Sequence, residues 1–292
     1  MSERLVLNAG DYGLAVQERA ELIMLSDIAG YVGADTCGCL LAIRQDQQEE
    51  ISLMIDIGTN GEMVLGNRER MVTCSTAAGP AFEGAKIECG MRGAAGAVDH
   101  VKYEDGKWNY TTVGNKPAVG LCGSGLIDLV AGLLDAGMLD ENGVLRSGQE
   151  KQSVFILVPP ERGGNERGVY LTQKDLGEVQ LAKAAIAAGI QMLMERLGIT
   201  EDDICSVYIA GAFGNYMDPV SAGKIGLLPA TLVKKVKPVG NAAGEGAKIA
   251  LVNEKEMLEM DELVRKIEFV ELAASADFQD HFIDELGFET GE

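Results

Sequence analysis

The residue types with the clearest chemistry are Asp56, Gly58, Thr59, Asn60 and Gly61, inside the stretch Leu53 to Gly66, LMIDIGTNGEMVLG. An apolar run enters Asp56 and a second one leaves Gly61, so the segment reads as two strands joined by a tight turn. Two glycines and a small hydroxyl residue let backbone N–H groups crowd around an anion. A carboxylate at a strand end can hold a magnesium ion, usually through water. Together these are the parts of a phosphate-binding hairpin. No Gly-Lys-Ser/Thr follows, so the segment is not a Walker loop. The same residues also spell an ordinary Asn-Gly hairpin with a solvated aspartate, and the turn alone does not choose between the two.

Further glycine clusters stand where ligands bind. Gly120-Leu121-Cys122-Gly123-Ser124-Gly125 opens a helix expected over Leu126 to Met138. A glycine-rich helix start leaves free N–H groups that suit a phosphate, and it equally suits close packing. The buried strand Ser206 to Ala210 ends in Gly211-Ala212-Phe213-Gly214-Asn215-Tyr216. This puts glycines at the carboxyl end of a strand, the ligand side of open α/β sheets. Gly240-Asn241-Ala242-Ala243-Gly244 starts another helix. Asp35 lies near the start of a helix that continues to about Arg44, where the helix dipole favours a carboxylate.

The elements that must position these residues alternate between strand and helix. Short strands are expected at 51–57, 61–66 and 70–75, then a glycine-rich loop from Ala77 to Ala97, then a strand pair at 97–104 and 107–113. Residues 139–170 read as loop and hairpin, broken by Pro159-Pro160 and Gly163-Gly164. Thr172 is a plausible N-cap, with Asp175 in the first turn, for a long helix ending at Leu197 before Gly198. Residues 254–287 read as a helix, a strand at Phe269 to Leu272 and a closing helix.

Composition narrows the partners. With 292 residues, 47% of them hydrophobic, the chain can bury one large core or two smaller ones. A formal charge of -20 repels nucleic acid and anionic membrane surfaces. No apolar run approaches the roughly 18 residues of a spanning helix, and the N-terminus has no signal-peptide pattern. The 6 cysteines include no Cys-x-x-Cys pair and have only 2 histidines to join them as ligands. The expectation is therefore small thiols in a reduced, cytoplasmic setting rather than a zinc or iron–sulfur site. The role of Cys37 and Cys39, the one close pair, is not legible.

The order of these stations resembles the second half of the actin-like ATPase and sugar-kinase superfamily. That resemblance implies an α/β, ribonuclease-H-like mixed sheet: three antiparallel strands, then parallel ones, flanked by helices. Residues from about 5 to 287 further resemble the C-terminal domain of reductive activators of corrinoid proteins. The segments that carry it are Gly30 to Thr36, Asp56 to Glu62, Ser75 to Gly84, Gly123 to Asp128 and Ala210 to Tyr216.

What the resemblance implies is specific. Residues 1–50 would be a remnant of the first ATPase subdomain with its connecting helix, and 51–292 the second subdomain. ATP or ADP with magnesium would be the cofactor and a corrinoid protein of a methyltransferase system the partner, with a homodimer as the assembly. ATP hydrolysis needs positioned phosphates, a metal and an oriented water. Asp56 would hold the metal, and Gly58, Thr59, Asn60 and Gly61 the phosphates. Gly123 and Ser124 would join the nucleotide site, while Gly211, Ala212, Gly214 and Asn215 line the adenosine pocket. Asp35 would orient or deprotonate the water, as in the Gly-x-Asp of type III pantothenate kinases, or else serve as a helix cap. The chain departs from the family pattern in lacking an earlier Asp-x-Gly-Thr loop and a cysteine cluster. An iron–sulfur cluster is therefore not expected here, nucleotide binding by this segment alone is expected to be weak or absent, and ATPase activity is expected only in the full-length context. A non-hydrolysing docking or dimerisation module, and a small-molecule kinase of the pantothenate type, are the competing readings.

Overall fold

The structure is a computed structural model that describes residues 4–147, 150–273 and 275–288. It opens with a two-stranded antiparallel hairpin, β1 (Leu5–Asn8) and β2 (Glu21–Met24), followed by helix α1 (Ala34–Ile43). Strands β3 (Ile51–Ile57), β4 (Gly61–Gly66) and β5 (Met71–Thr76) form an antiparallel meander. A long loop leads to the hairpin β6 (Ala97–Glu104) and β7 (Lys107–Thr112), to the short β8 (Gly120–Leu121) and to α2 (Gly123–Asp135). Two further hairpins follow: β9 (Arg146–Ser147) with β10 (Glu150–Lys151), and β11 (Val154–Val158) with β12 (Val169–Thr172). Then come α3 (Gln173–Leu197), β13 (Ile204–Ala210), the short helices α4 (Gly211–Gly214) and α5 (Pro219–Lys224), and β14 (Val236–Gly240). The chain closes through α6 (Ala242–Val252), α7 (Glu254–Val264), β15 (Ile267–Phe269) and α8 (Ala276–Asp284).

The central sheet has six strands in the order β14-β13-β3-β4-β5-β15. The meander is antiparallel; β13 is parallel to β3, β14 to β13 and β15 to β5. This is the mixed sheet expected from the sequence, with β15 added on the far edge. Both faces are covered, so most residues of the inner strands are buried, as sheets with helices on both sides require. Alternation divides their side chains between two cores. Leu53, Ile55, Met63 and Leu65 face the core shared with α2 and α3. Met54, Val64 and Met71 face the core shared with α1, α6 and α7. A period of 2 along each strand produces that division.

The long helix begins as read. The Thr172 side chain accepts from the Asp175 N–H at 3.1 Å, and the Asp175 carboxylate accepts from the Thr172 N–H at 2.9 Å, closing a reciprocal cap. The other Asp175 oxygen accepts from the Glu88 N–H at 2.9 Å, which ties the loop before β6 to the helix start. Helices α1 and α6 meet through glycine. A Cβ on Gly246 would overlap the Gly38 carbonyl, and a Cβ on Gly38 would stand 2.8 Å from the Ala243 carbonyl oxygen.

Three boundaries differ from the sequence reading. The helix expected from Leu126 starts at Gly123 and ends at Asp135, because the glycines that signal a turn are themselves its first turn. The strand expected at Phe269 to Leu272 lies earlier, at Ile267–Phe269, where it pairs with Met71 to Thr73. Strand β14 has no counterpart in the reading, since Lys237 and Pro238 hide its pattern; Pro238 is tolerated because the strand is an edge.

Candidate functional site

The site begins with strand register. Asp56 near the end of β3 pairs with Ala210 at the end of β13, so the turn after one strand and the glycines after the other emerge side by side. Gly211 adopts φ +87°, and its ideal Cβ position lies 3.0 Å from Asp56 Oδ1. A residue with a side chain is thus excluded twice, by backbone conformation and by the carboxylate.

Asp56 is half-buried and its carboxyl is held above the ordinary carboxylate range, first by burial and then by the negative charge of Asp35. Cys39 Sγ stands 3.9 Å from Asp56 Oδ2, a weak donor to it. Asp35 occupies the first turn of α1; the N-cap position is Gly33, which offers no side chain. Its Oδ1 accepts from the N–H of Thr36 at 2.8 Å. The helix start therefore directs a carboxylate toward the same region as Asp56. Glu62, whose carboxyl is likewise raised mainly by burial, also feels both aspartates.

The turn itself is compact. The β3–β4 ladder ends with Ile57 opposite Gly61, and the Gly58 N–H bonds the Asn60 carbonyl at 2.9 Å. Thr59 is exposed, and its hydroxyl donates to Glu83 Oε2 at 2.7 Å. Around Gly58 a Cβ would find only the Asn60 carbonyl, 3.8 Å away, so this position is open. Gly61 is different: a Cβ there would stand 2.9 Å from Thr76 Oγ1 and 3.2 Å from Ile186, so packing under α3 already accounts for this glycine. Gly214 is likewise packed against Ile209, and Asn215 sits beside Gly240 at the end of β14, with the Gly240 Cβ position 3.1 Å from Asn215 Nδ2.

Next to the turn lies a cavity of about 530 Å³, whose lining includes Ile57, Phe82, Glu83, Asp99, Ser124 and Phe213. The rings of Phe82 and Phe213 stack at 5.7 Å between centroids. Gly123 packs against this pair, since a Cβ there would overlap the Phe82 carbonyl and stand 2.7 Å from the Phe213 ring. Ser124 donates to the Asp99 carbonyl at 2.8 Å. Phe82, Phe213, Asp99 and the Thr59–Glu83 contact escaped the sequence reading in these roles. They come from segments far apart in the chain, and no local spacing marks them.

The structure thus brings Asp35, Asp56 and Gly211 to one place, and Thr59, Gly123 and Ser124 to the turn and cavity beside it. It does not make ligand contacts the reason for Gly61 or Gly214. The Cys37 and Cys39 thiols are buried and pushed up to about 12, chiefly by desolvation and then by neighbouring aspartates. Both pack in the core shared by α1, α6 and α7. Among the described residues, no group of three or more His, Cys, Asp or Glu side chains is arranged to hold a metal. None of the helices described is long and apolar enough to cross a membrane.

Residues 50–292 match the family described as the C-terminal domain of RACo, the ASKHA domain. The corrinoid activation enzyme RamQ of Eubacterium limosum is 36% identical over 296 residues, which span 96% of this chain and 50% of that protein. The [Co(II) methylated amine-specific corrinoid protein] reductase of Methanosarcina barkeri is 29% identical over 303 residues, 96% of this chain and 54% of that one. A solved structure described as a reductive activator for corrinoid, iron–sulfur protein superposes with a TM-score of 0.89 at 38% identity, covering 97% of this chain and 47% of that chain. The chain spans about half the length of the curated relatives it matches. The fold is the ASKHA, or actin-like, ATPase fold, and the chain belongs to the family of reductive activators of corrinoid proteins, within their C-terminal ASKHA domain.

Proposed function

We propose that this chain is the nucleotide-handling domain of a corrinoid-protein reductive activator. In that reading ATP use assists the reduction of corrinoid cobalt from Co(II) to Co(I), and a separate ferredoxin-type domain carries the electron. Residues 1–50 belong to the first ATPase subdomain and 51–292 form the second. The observation that carries the reading is the meeting of Asp56 and Gly211 at adjacent strand ends, with Asp35 close enough to raise the Asp56 carboxyl.

The residues fit a hydrated hard cation with a phosphate. A half-buried carboxylate, Asp56, stands within the field of an exposed one, Asp35, and holding the Asp56 charge there is favoured once a cation joins it. Three protein ligands are not gathered there, but magnesium habitually completes its shell with waters and phosphate oxygens. When bound, it would neutralise charge that develops on transferring phosphate oxygens. The chain's own part is to bind and orient. Gly58, Thr59 and Asn60 would hold the phosphates, and Gly61 holds the turn against α3. Gly211, Ala212, Gly214 and Asn215 would shape the adenosine side, with Gly123 and Ser124 lining the cavity. Asp35 accepts the proton of the attacking water.

Calorimetric titration of magnesium-ADP and magnesium-ATP into this chain and into Asp56→Ala tests the reading. Uptake by the wild type that the variant loses is the expected result. No heat and no melting shift at millimolar nucleotide would end it for this chain. A docking module would then lead, and one observation favours it: the first hairpin exposes Val6, Tyr12, Leu14, Val16 and Met24 to solvent.

A further inference from the structure

We infer that Glu83 is an internal occupant of the phosphate turn, a carboxylate held where a nucleotide phosphate is to bind, so that nucleotide entry ejects it. The inference rests on the nucleotide reading above and adds regulation to that site.

Glu83 reaches the turn at its hydroxyl. The Thr59 hydroxyl donates to Glu83 Oε2 at 2.7 Å. Carboxylate and phosphate oxygens are the same kind of partner for a hydroxyl: anionic acceptors with several lone pairs. A phosphate that engages Thr59 must compete for that hydroxyl, and a second anion beside it is repelled.

Both side chains of this contact are exposed, but the backbone on either side of Glu83 is held in place. On one side Phe82 is buried, stacked on Phe213 and backed by Gly123. On the other, Gly84 has φ +80° and lies against the backbone of Gly90 and Met91. Lys86 pairs with Glu178 of α3 at 3.1 Å, and the Glu88 N–H bonds Asp175 at 2.9 Å. The loop is thus anchored to α3 and to the aromatic pair, while the Glu83 side chain bridges it to the turn. Glu83 also lines the cavity beside Phe82 and Phe213. Ejecting it changes the cavity wall and removes the link between the loop and the turn, so the loop between β5 and β6 senses that the turn is filled.

Glu83→Gln and Glu83→Ala, beside the wild type, test this with magnesium-ADP and with adenosine as probes. Both variants are expected to bind magnesium-ADP about three- to tenfold more tightly, the size of one net hydrogen bond with its charge term, and adenosine as the wild type does. Amide exchange gives an independent readout. Residues 79–91 of the wild type should exchange faster with magnesium-ADP bound, and Glu83→Ala should show that faster exchange without ligand. Equal magnesium-ADP affinity in all three proteins overturns the inference and leaves the nucleotide reading standing. Weaker affinity in the variants overturns it in favour of Glu83 as a direct ligand contact. No uptake by any of them overturns the nucleotide reading, and the inference with it.

Discussion

Gly211 and Asp56 are held so close that the main chain of one is shaped around the carboxylate of the other: the Cβ position of Gly211 lies 3.0 Å from Asp56 Oδ1 on a backbone of φ +87°. Gly211→Ala therefore combines left-handed strain with a clash against a charged group. The expected cost is about 1–3 kcal/mol in urea unfolding, with loss of magnesium-ADP uptake. An unchanged midpoint would show that the strand ends are not this close.

Asp56 should make the unliganded protein less stable at neutral pH. Burial and Asp35 hold its folded carboxyl above the ordinary value, so the folded state binds the proton more readily than the unfolded one. The resulting stabilisation is complete below the unfolded value and is lost as pH rises through the folded value. Asp56→Asn is thus expected to melt higher than the wild type at pH 7, with the difference shrinking as pH falls toward about 4. The same variant should lose magnesium-dependent binding. A melting curve for Asp56→Asn that falls below the wild type at pH 7 would contradict the burial argument.

Two glycine substitutions should act in opposite directions. Gly246→Ala drives a methyl group into the Gly38 carbonyl between α1 and α6, and should cost about 1–3 kcal/mol or more. Gly177→Ala, in α3, meets nothing within 4 Å and should stabilise by roughly 0.5–1 kcal/mol through helix propensity and unfolded-chain entropy. Thermal melts of the two single variants decide the matter.

The thiols should react in the order of their exposure. Cys205 is exposed and Cys89 half-buried, whereas Cys37, Cys39, Cys74 and Cys122 are buried. With their thiols raised to about 12, Cys37 and Cys39 carry only about one part in ten thousand of thiolate at pH 8. Timed alkylation followed by peptide mass spectrometry should label Cys205 first and Cys89 more slowly, leaving the others until denaturant is added. Rapid labelling of Cys37 or Cys39 in the native protein would restore the question of a chemical role.

Much of the fold could be read from the residues because local signals and packing agree. The meander has near-continuous apolar strands with glycine turns, and α3 has a Thr172–Asp175 cap that closes in the structure as its spacing suggests. β14 was hidden because an edge strand tolerates the lysine and proline that disguise it. In the site, Asp56 and Gly211 could be proposed from glycine placement, yet their adjacency depends on a parallel pairing between residues more than 150 positions apart. Glu83 and the Phe82–Phe213 stack depend on how the long loop folds back, for which no periodicity exists. Gly61 and Gly214 show the opposite limit. Their glycines are explained by contacts with α3 and with Ile209, which a glycine motif cannot distinguish from a ligand's approach.

The glycine contact between α1 and α6 also sets a gauge. Because Gly38 and Gly246 touch through main chain, no side-chain rotamer can absorb a change in the spacing of the two helices. Asp35 rides on the first of these helices, and the second starts directly after the Gly240–Asn215 contact. A displacement of either helix must therefore be transmitted whole to the other, and the two rims of the site advance or retreat as a single rigid jaw.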